Sequence, residues 1–159
     1  MAVKPEWLRR LETEHKSRVV MNNYATELKS SEDQVLNVGV PKLWARIANC
    51  LQDALETCEI SGITPSFNLA SANLITISVC RSHSAVPAAV LDIRLEGYEI
   101  LPRFRTNIGV DLPKLRFTVA AGRVSLSEGP YPLPDNGEDV AEVASQRLLE
   151  PLLRSFLNE

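Results

Sequence analysis

The chain is poor in the residues from which active sites are most often built. Two histidines, three cysteines and seven glycines are spread over 159 residues. None of the glycines forms a phosphate-cradling loop, and no G-x-x-x-x-G-K, G-x-G-x-x-G, G-x-S-x-G or H-E-x-x-H run occurs. That absence argues against nucleotide enzymes, for which backbone amides presented by such loops hold the phosphates. The cysteine count is odd and has no framework spacing, which fits a reducing cytoplasm better than secretion. Net charge is only -3 with a pI near 5.5, so no global field draws the chain toward nucleic acid or an anionic membrane.

Long apolar runs are missing too. The longest uncharged stretch, Ile60 to Cys80, contains Gly62, Pro65, Asn68 and Asn73, and such a stretch does not cross a bilayer as a helix. The opening "MAVKPEWLRRLETEHK" follows its arginines with charges rather than an apolar core, so it does not read as a signal peptide. The expectation is a cytoplasmic protein with no membrane partner.

What is present is an ordinary core-forming composition, 45% hydrophobic. A chain of this length buries roughly 70% of its unfolded surface without help from a disulfide or metal. The spacing predicts a single domain over residues 1–159. A first helix is expected over about Pro5 to Lys29, with Leu8, Leu11, His15 and Val19 on one face. Beyond Val20 the apolar positions rotate to Met21, Tyr24 and Leu28, which predicts a break near Asn22-Asn23 or a second half packed on something else. "KSSEDQ" reads as a solvated connection and "VLNVG" as irregular or extended. A second helix is expected after Gly39-Val40-Pro41, with Leu43, Trp44, Ile47, Leu51, Ala54, Leu55 and Cys58 facing the core and Ser61-Gly62 ending it.

From Phe67 the period changes to two. A Ser71-Ala72-Asn73 loop would set Phe67 and Leu69 with Ile75, Ile77 and Val79, with Asn73 left-handed. A Glu96-Gly97 turn would put Leu95 opposite Tyr98 and Arg94 opposite Glu99. An Ala121-Gly122 turn would pair Val119 with Val124 and Phe117 with Leu126. Face parity also pairs Val79 with Ala89. "EGPYPLPDNGED" reads as an extended linker rather than a polyproline ligand, with Asp135 or Asn136 capping the helix that follows and Glu138 and Asp139 in its first turn. Val140, Ala141, Ala144, Leu148, Leu152 and Phe156 form that helix's buried stripe, with a kink or restart at Pro151.

The expected architecture is therefore α+β and two-layer. Two N-terminal helices and a C-terminal helix pack on one face of an antiparallel meander of about six strands. This order of elements is similar to the helix-grip arrangement, in which a curved sheet wraps a long C-terminal helix around an apolar cavity. The resemblance is one of order alone.

The stretch "VCRSHSAVP", Val79 to Pro87, holds the vocabulary of nucleophilic or metal chemistry in Cys80, Arg81, Ser82, His83 and Ser84. Cys80 and His83 are the candidate catalytic pair. Parity instead puts Cys80 at a strand end on the outer face and His83 in a solvent-reached loop, without the water-excluding surroundings and third group that a nucleophile and base need. Cys50 and Cys58, eight residues apart on one helix, stand about 12 Å apart along its axis, too far for two ligands of one zinc. No metal or cofactor is expected.

The outer sheet face offers a second candidate. Arg94, Arg103, Arg105 and Arg116 share the outward parity, beside Lys114 and Arg123. Between Arg81 and Arg123, seven basic residues oppose four acidic ones, +3 within a chain of -3. An anion or nucleic acid would suit such a face, but it has no aromatic on which a base would stack. The outward Val90 and Leu101 lie among these arginines and suit a protein contact. The leading expectation is a binding or protein-interaction module rather than an enzyme, with a homodimer or another protein as partner. The alternatives are a carrier or enzyme for a small apolar ligand held between sheet and C-terminal helix, and a nucleic-acid binder using the arginine face.

Overall fold

A computed structural model of the chain describes residues 3–134 and 139–157. Its elements run α1 (Glu6–Glu56), β1 (Ile63–Ser71), β2 (Leu74–Arg81), β3 (Pro87–Glu96), β4 (Glu99–Phe104), β5 (Leu115–Ala120), β6 (Arg123–Glu128), β7 (Tyr131–Pro132) and α2 (Val140–Leu157). The strands form one antiparallel sheet in sequence order, so the fold is α+β. The seventh strand is two residues long and lies inside the proline-rich connection, pairing Tyr131 with Glu128 and Pro132 with Ser127.

Two expected N-terminal helices are one continuous helix of 51 residues, about 76 Å long. Neither Asn22-Asn23 nor Lys29 to Gln34 breaks it, and Gly39 and Pro41 lie inside it. The reason is tertiary. Leu36 packs against the core, and Val40, Leu43, Trp44, Ile47, Leu51 and Leu55 are buried on the same face. Glycine and proline cost a helix interior about 1 and 3 kcal/mol. Burying large side chains contributes about 1.5–3 kcal/mol apiece, so packing outweighs the local stop signals. Cys58, expected in the buried stripe, lies just past the helix end, where Thr57 Oγ1 donates to the Asp53 carbonyl at 2.8 Å.

The sheet buries one face. Ile75, Ile77, Leu91, Ile93, Ile100 and Leu126 are fully buried there, and so are Ala141, Ala144, Leu148 and Leu152 of α2. The hairpins are docked onto α1 near their tips. Trp44 Nε1 donates to the Ala72 carbonyl at 2.9 Å, and Tyr98 Oη donates to Asn37 Oδ1 at 2.6 Å. Gly39 touches Val124 of the third hairpin so closely that a Cβ would overlap it.

Two of the expected hairpin registers agree with the structure. Val119 pairs with Val124 and Phe117 with Leu126. The turn between them has both Ala121 (φ 51) and Gly122 (φ 73) left-handed, as a right-twisted hairpin requires. Leu69 pairs with Ile75 and Phe67 with Ile77, but Ser71 pairs with Leu74 across a bulge, so the turn is Ala72-Asn73 and Asn73 is not left-handed. Val79 pairs with Ala89 as parity requires.

The middle hairpin differs. Its turn is Gly97-Tyr98, Leu95 faces Ile100, and Arg94 faces Leu101 instead of Glu99. A two-residue slip leaves every side chain on its face, so alternation cannot detect it. Gly97, at φ 58, sets the register by occupying the left-handed turn position.

Asp135, Asn136 and Glu138 lie outside the described residues. The cap of α2 is Asp139, whose Oδ1 accepts the Ala141 amide at 3.0 Å. Its carboxylate also pairs with Arg46, tying the start of α2 to α1. Pro151 sits inside α2 without ending it.

Candidate functional site

Cys80 is half-buried near the end of β2, opposite Pro87 at an irregularity in the ladder. Its parity is opposite to that of the buried Ile77 and Val79, which points it to the outer face. His83 is exposed in the following loop at φ 72, a left-handed position. No hydrogen bond joins His83 to Cys80 among the described residues. The serines of this loop serve its shape: Ser84 Oγ accepts the Val86 amide at 3.3 Å, and the Ser82 amide donates to the Gly62 carbonyl at 2.9 Å. Arg81 has the inward parity and stands over the Phe156 ring of α2, 5.2 Å from its centroid. The loop thus has a structural account, and it lacks the nucleophile–base contact that covalent catalysis needs.

All three cysteines are free thiols. Burial pushes the Cys50 thiol up from its ordinary range, and the Asp139, Glu142 and Asp53 carboxylates push it the same way. A thiol so placed is a poor nucleophile and a poor metal ligand. Among the described residues, no group of three or more His, Cys, Asp or Glu is arranged to hold a metal ion.

The arginine face is a real surface but an uneven one. Arg94, Arg103, Arg105 and Arg116 are all exposed. Arg105 is engaged: its Nε and Nη2 donate to the two Asp92 oxygens at 2.9 and 3.2 Å, while Thr76 Oγ1 donates to Asp92 Oδ1 at 2.8 Å. The Arg105 hydrogen bond holds the Asp92 carboxyl below its ordinary range against the opposing effect of burial, with Thr76 helping. Arg116 lies opposite Glu99 in the β4–β5 ladder. The shallow hollow on this face, about 470 Å³, includes Asp92 and Glu96 beside Arg94, Arg103 and Arg105. Acids within it dilute any field that would gather phosphates.

Between sheet and α2 the space is occupied by the buried side chains of both. Several concavities among the described residues open on the outside of the molecule. One, about 1040 Å³, is a groove between α1 and the β5–β6 hairpin tip, lined by Val35, Val38, Gly39, Ala121, Val124 and Leu133 together with charged Lys42, Arg46, Arg123 and Asp139.

The feature that sequence reasoning missed is the position of α1. Residues 6–34 make about 43 Å of helix in which almost every side chain is exposed, and only Glu32 and Gln34 at its end border the β5–β6 hairpin. Trp7 (65% exposed), Leu11, Val20 (67%), Met21 (71%), Tyr24 (64%) and Leu28 are bare to solvent. The rotating stripe was visible in the sequence. What it lacked was any sign that no other element among the described residues covers it. Among the described residues, no helix is long and apolar enough to cross a membrane. No protein-family model, curated protein or solved structure matches the chain.

Proposed function

We propose that the chain is a protein-interaction module, acting in a reducing compartment such as the cytoplasm, with the projecting half of α1 and the groove at its root as the contact surface. One observation carries the reading: a helical arm, residues 6–31, packs on no other element among the described residues while exposing Trp7, Val20, Met21, Tyr24 and Leu28. Isolated helices are marginal in water, and most helical stability in proteins comes from packing an apolar face. This arm also carries Asn22, Asn23, Thr26, Ser30 and Ser31, all poor helix formers. An apolar stripe of this size on an exposed helix marks a binding site. The three free thiols suit the compartment.

The arginine face is a weaker contact surface, because Arg105 is already held by Asp92 and acids share its hollow. The apolar-ligand reading has less support still, since sheet and α2 fill the space between them.

The test is chemical cross-linking of the full chain in living cells, comparing wild type with Tyr24→Glu/Leu28→Glu. Adducts that form with wild type and vanish with the variant are expected. Identical adduct patterns for both, or none with either, would refute the arm as contact surface.

A further inference from the structure

We infer that the arm's partner is the arm of a second copy of this chain, lying antiparallel to it and reaching the groove at the second copy's root. The inference rests on the interaction reading above and names its occupant.

The geometry follows from the helix repeat. At about 100° per residue, Val20, Met21, Tyr24, Leu28, Val35 and Val38 fall within roughly a third of the helix circumference. They form one seam, and Val35 and Val38 at its far end line the groove. A two-fold axis near Tyr24 makes the seam self-complementary, because residues whose numbers add to about 48 come level. Met21 of each copy then lies beside Leu28 of the other, with the two Tyr24 rings at the centre.

Charge selects the orientation. Residues 6–18 carry four basic and three acidic side chains, and residues 19–34 carry one basic and three acidic. The antiparallel arrangement brings Arg18 within about a turn of the second copy's Glu32 on the same flank, and Glu6 level with its Lys42 on the seam. A parallel pair would instead set Glu27 of one copy against Glu32 of the other.

The same register fills the groove. Trp7 comes level with Pro41 of the second copy. On the helix wheel Trp7 occupies the flank that, further along α1, carries Gly39 and Leu43 and faces the β5–β6 hairpin. In a two-fold pair like flanks meet, so each indole enters the other copy's groove beside Gly39, Ala121 and Val124. An aromatic in an apolar cleft is the usual form of an interface anchor.

The area suffices. Trp7, Val20, Met21, Tyr24, Leu28 and Val38, between 48% and 71% exposed, each offer on the order of 100 Å², giving about 600 Å² of apolar surface per copy. A stable interface of about 800 Å² per partner is about 60% apolar and contains a similar amount.

Sedimentation or light scattering of the purified full chain at micromolar concentration tests this. A dimer is expected. Tyr24→Glu/Leu28→Glu should be monomeric with its β-sheet body intact, since neither side chain touches that body. Trp7→Ala should weaken the dimer at least tenfold. A photo-cross-linking residue at position 7 reports orientation. Attachment near residues 35–43 or 120–124 of the second copy is expected, and attachment near its residues 3–14 would mean a parallel pair and overturn the inference. A wild-type monomer, or a dimer indifferent to the arm substitutions, also overturns it. If the purified chain is monomeric while arm-dependent adducts still form in cells, self-pairing falls and the interaction reading stands. If neither is seen, both fall.

Discussion

Replacing Gly39 by alanine sets two effects of known sign against each other. In an exposed helix interior the change stabilises by about 1 kcal/mol, because alanine has less backbone freedom to lose. At this position a Cβ would overlap Val124 Cγ2 and lie 3.2 Å from Val124 Cβ. Valine has few rotamers to retreat into, and its strand is held in register by the Val119 pairing. Overpacking of this kind costs about 1–3 kcal/mol. The expected net result is a loss of about 1 kcal/mol, or a fall of about 2–4 °C in melting temperature for a domain of this size. Val124→Ala alone should also destabilise, by about 1 kcal/mol for a half-buried valine. The two together should be better than additive by at least about 1 kcal/mol, because truncating Val124 removes the clash and leaves the helix gain. Thermal and urea unfolding of the four proteins in the cycle measure this. If Gly39→Ala raises stability and the cycle shows no coupling, the helix does not approach the third hairpin as described.

Three further expectations concern the turn, the acid limb and the thiol. Ala121→Asn should stabilise by about 0.5–1 kcal/mol in thermal unfolding, because asparagine tolerates the left-handed position that Ala121 occupies at φ 51. The Asp92 carboxyl is held low by Arg105, so its stabilising contribution is complete above the unfolded carboxyl value of about 3.9 and is lost as pH falls from there through the folded value. Asp92→Asn should therefore flatten the loss of melting temperature between about pH 4 and pH 2, and equal acid limbs in both proteins would contradict that contribution. His83→Ala should leave the rate of iodoacetamide labelling at Cys80 unchanged, since nothing joins the two side chains. A tenfold fall would reopen the loop as a reactive site.

Much of the fold was legible in the residues themselves. Alternation determined which side of β2 to β6 faces inward, because the two faces of a strand meet different solvents and one residue of slip exposes an entire core row. The Ala121-Gly122 turn was readable because its residues match the backbone the turn needs. The Glu96-Gly97 turn was misplaced by one residue because the slip it caused, two residues in the ladder, changes no face. The candidate pair Cys80 and His83 was correctly located on a strand end and a loop, since parity governs position. The proposed contact surface was another matter. The rotation from Leu8, Leu11 and Val19 to Met21, Tyr24 and Leu28 was visible, but apolar periodicity reports that a face wants covering and cannot report what covers it.

What only the tertiary structure decided was the single helix and where it leaves the body. Gly39 and Pro41 are local stop signals worth a few kcal/mol, and they lose to the burial of Val40, Leu43 and Trp44, a contribution that exists only once the sheet is beneath them. Because the helix therefore does not turn back at residue 39, its residues 6–31 continue as helix with almost every side chain exposed. The sequence alone determined a one-faced antiparallel sheet with amphipathic helices on it. Packing across α1 determined that one of those helices is too long for its own sheet, and so presents an apolar face that no other element among the described residues covers.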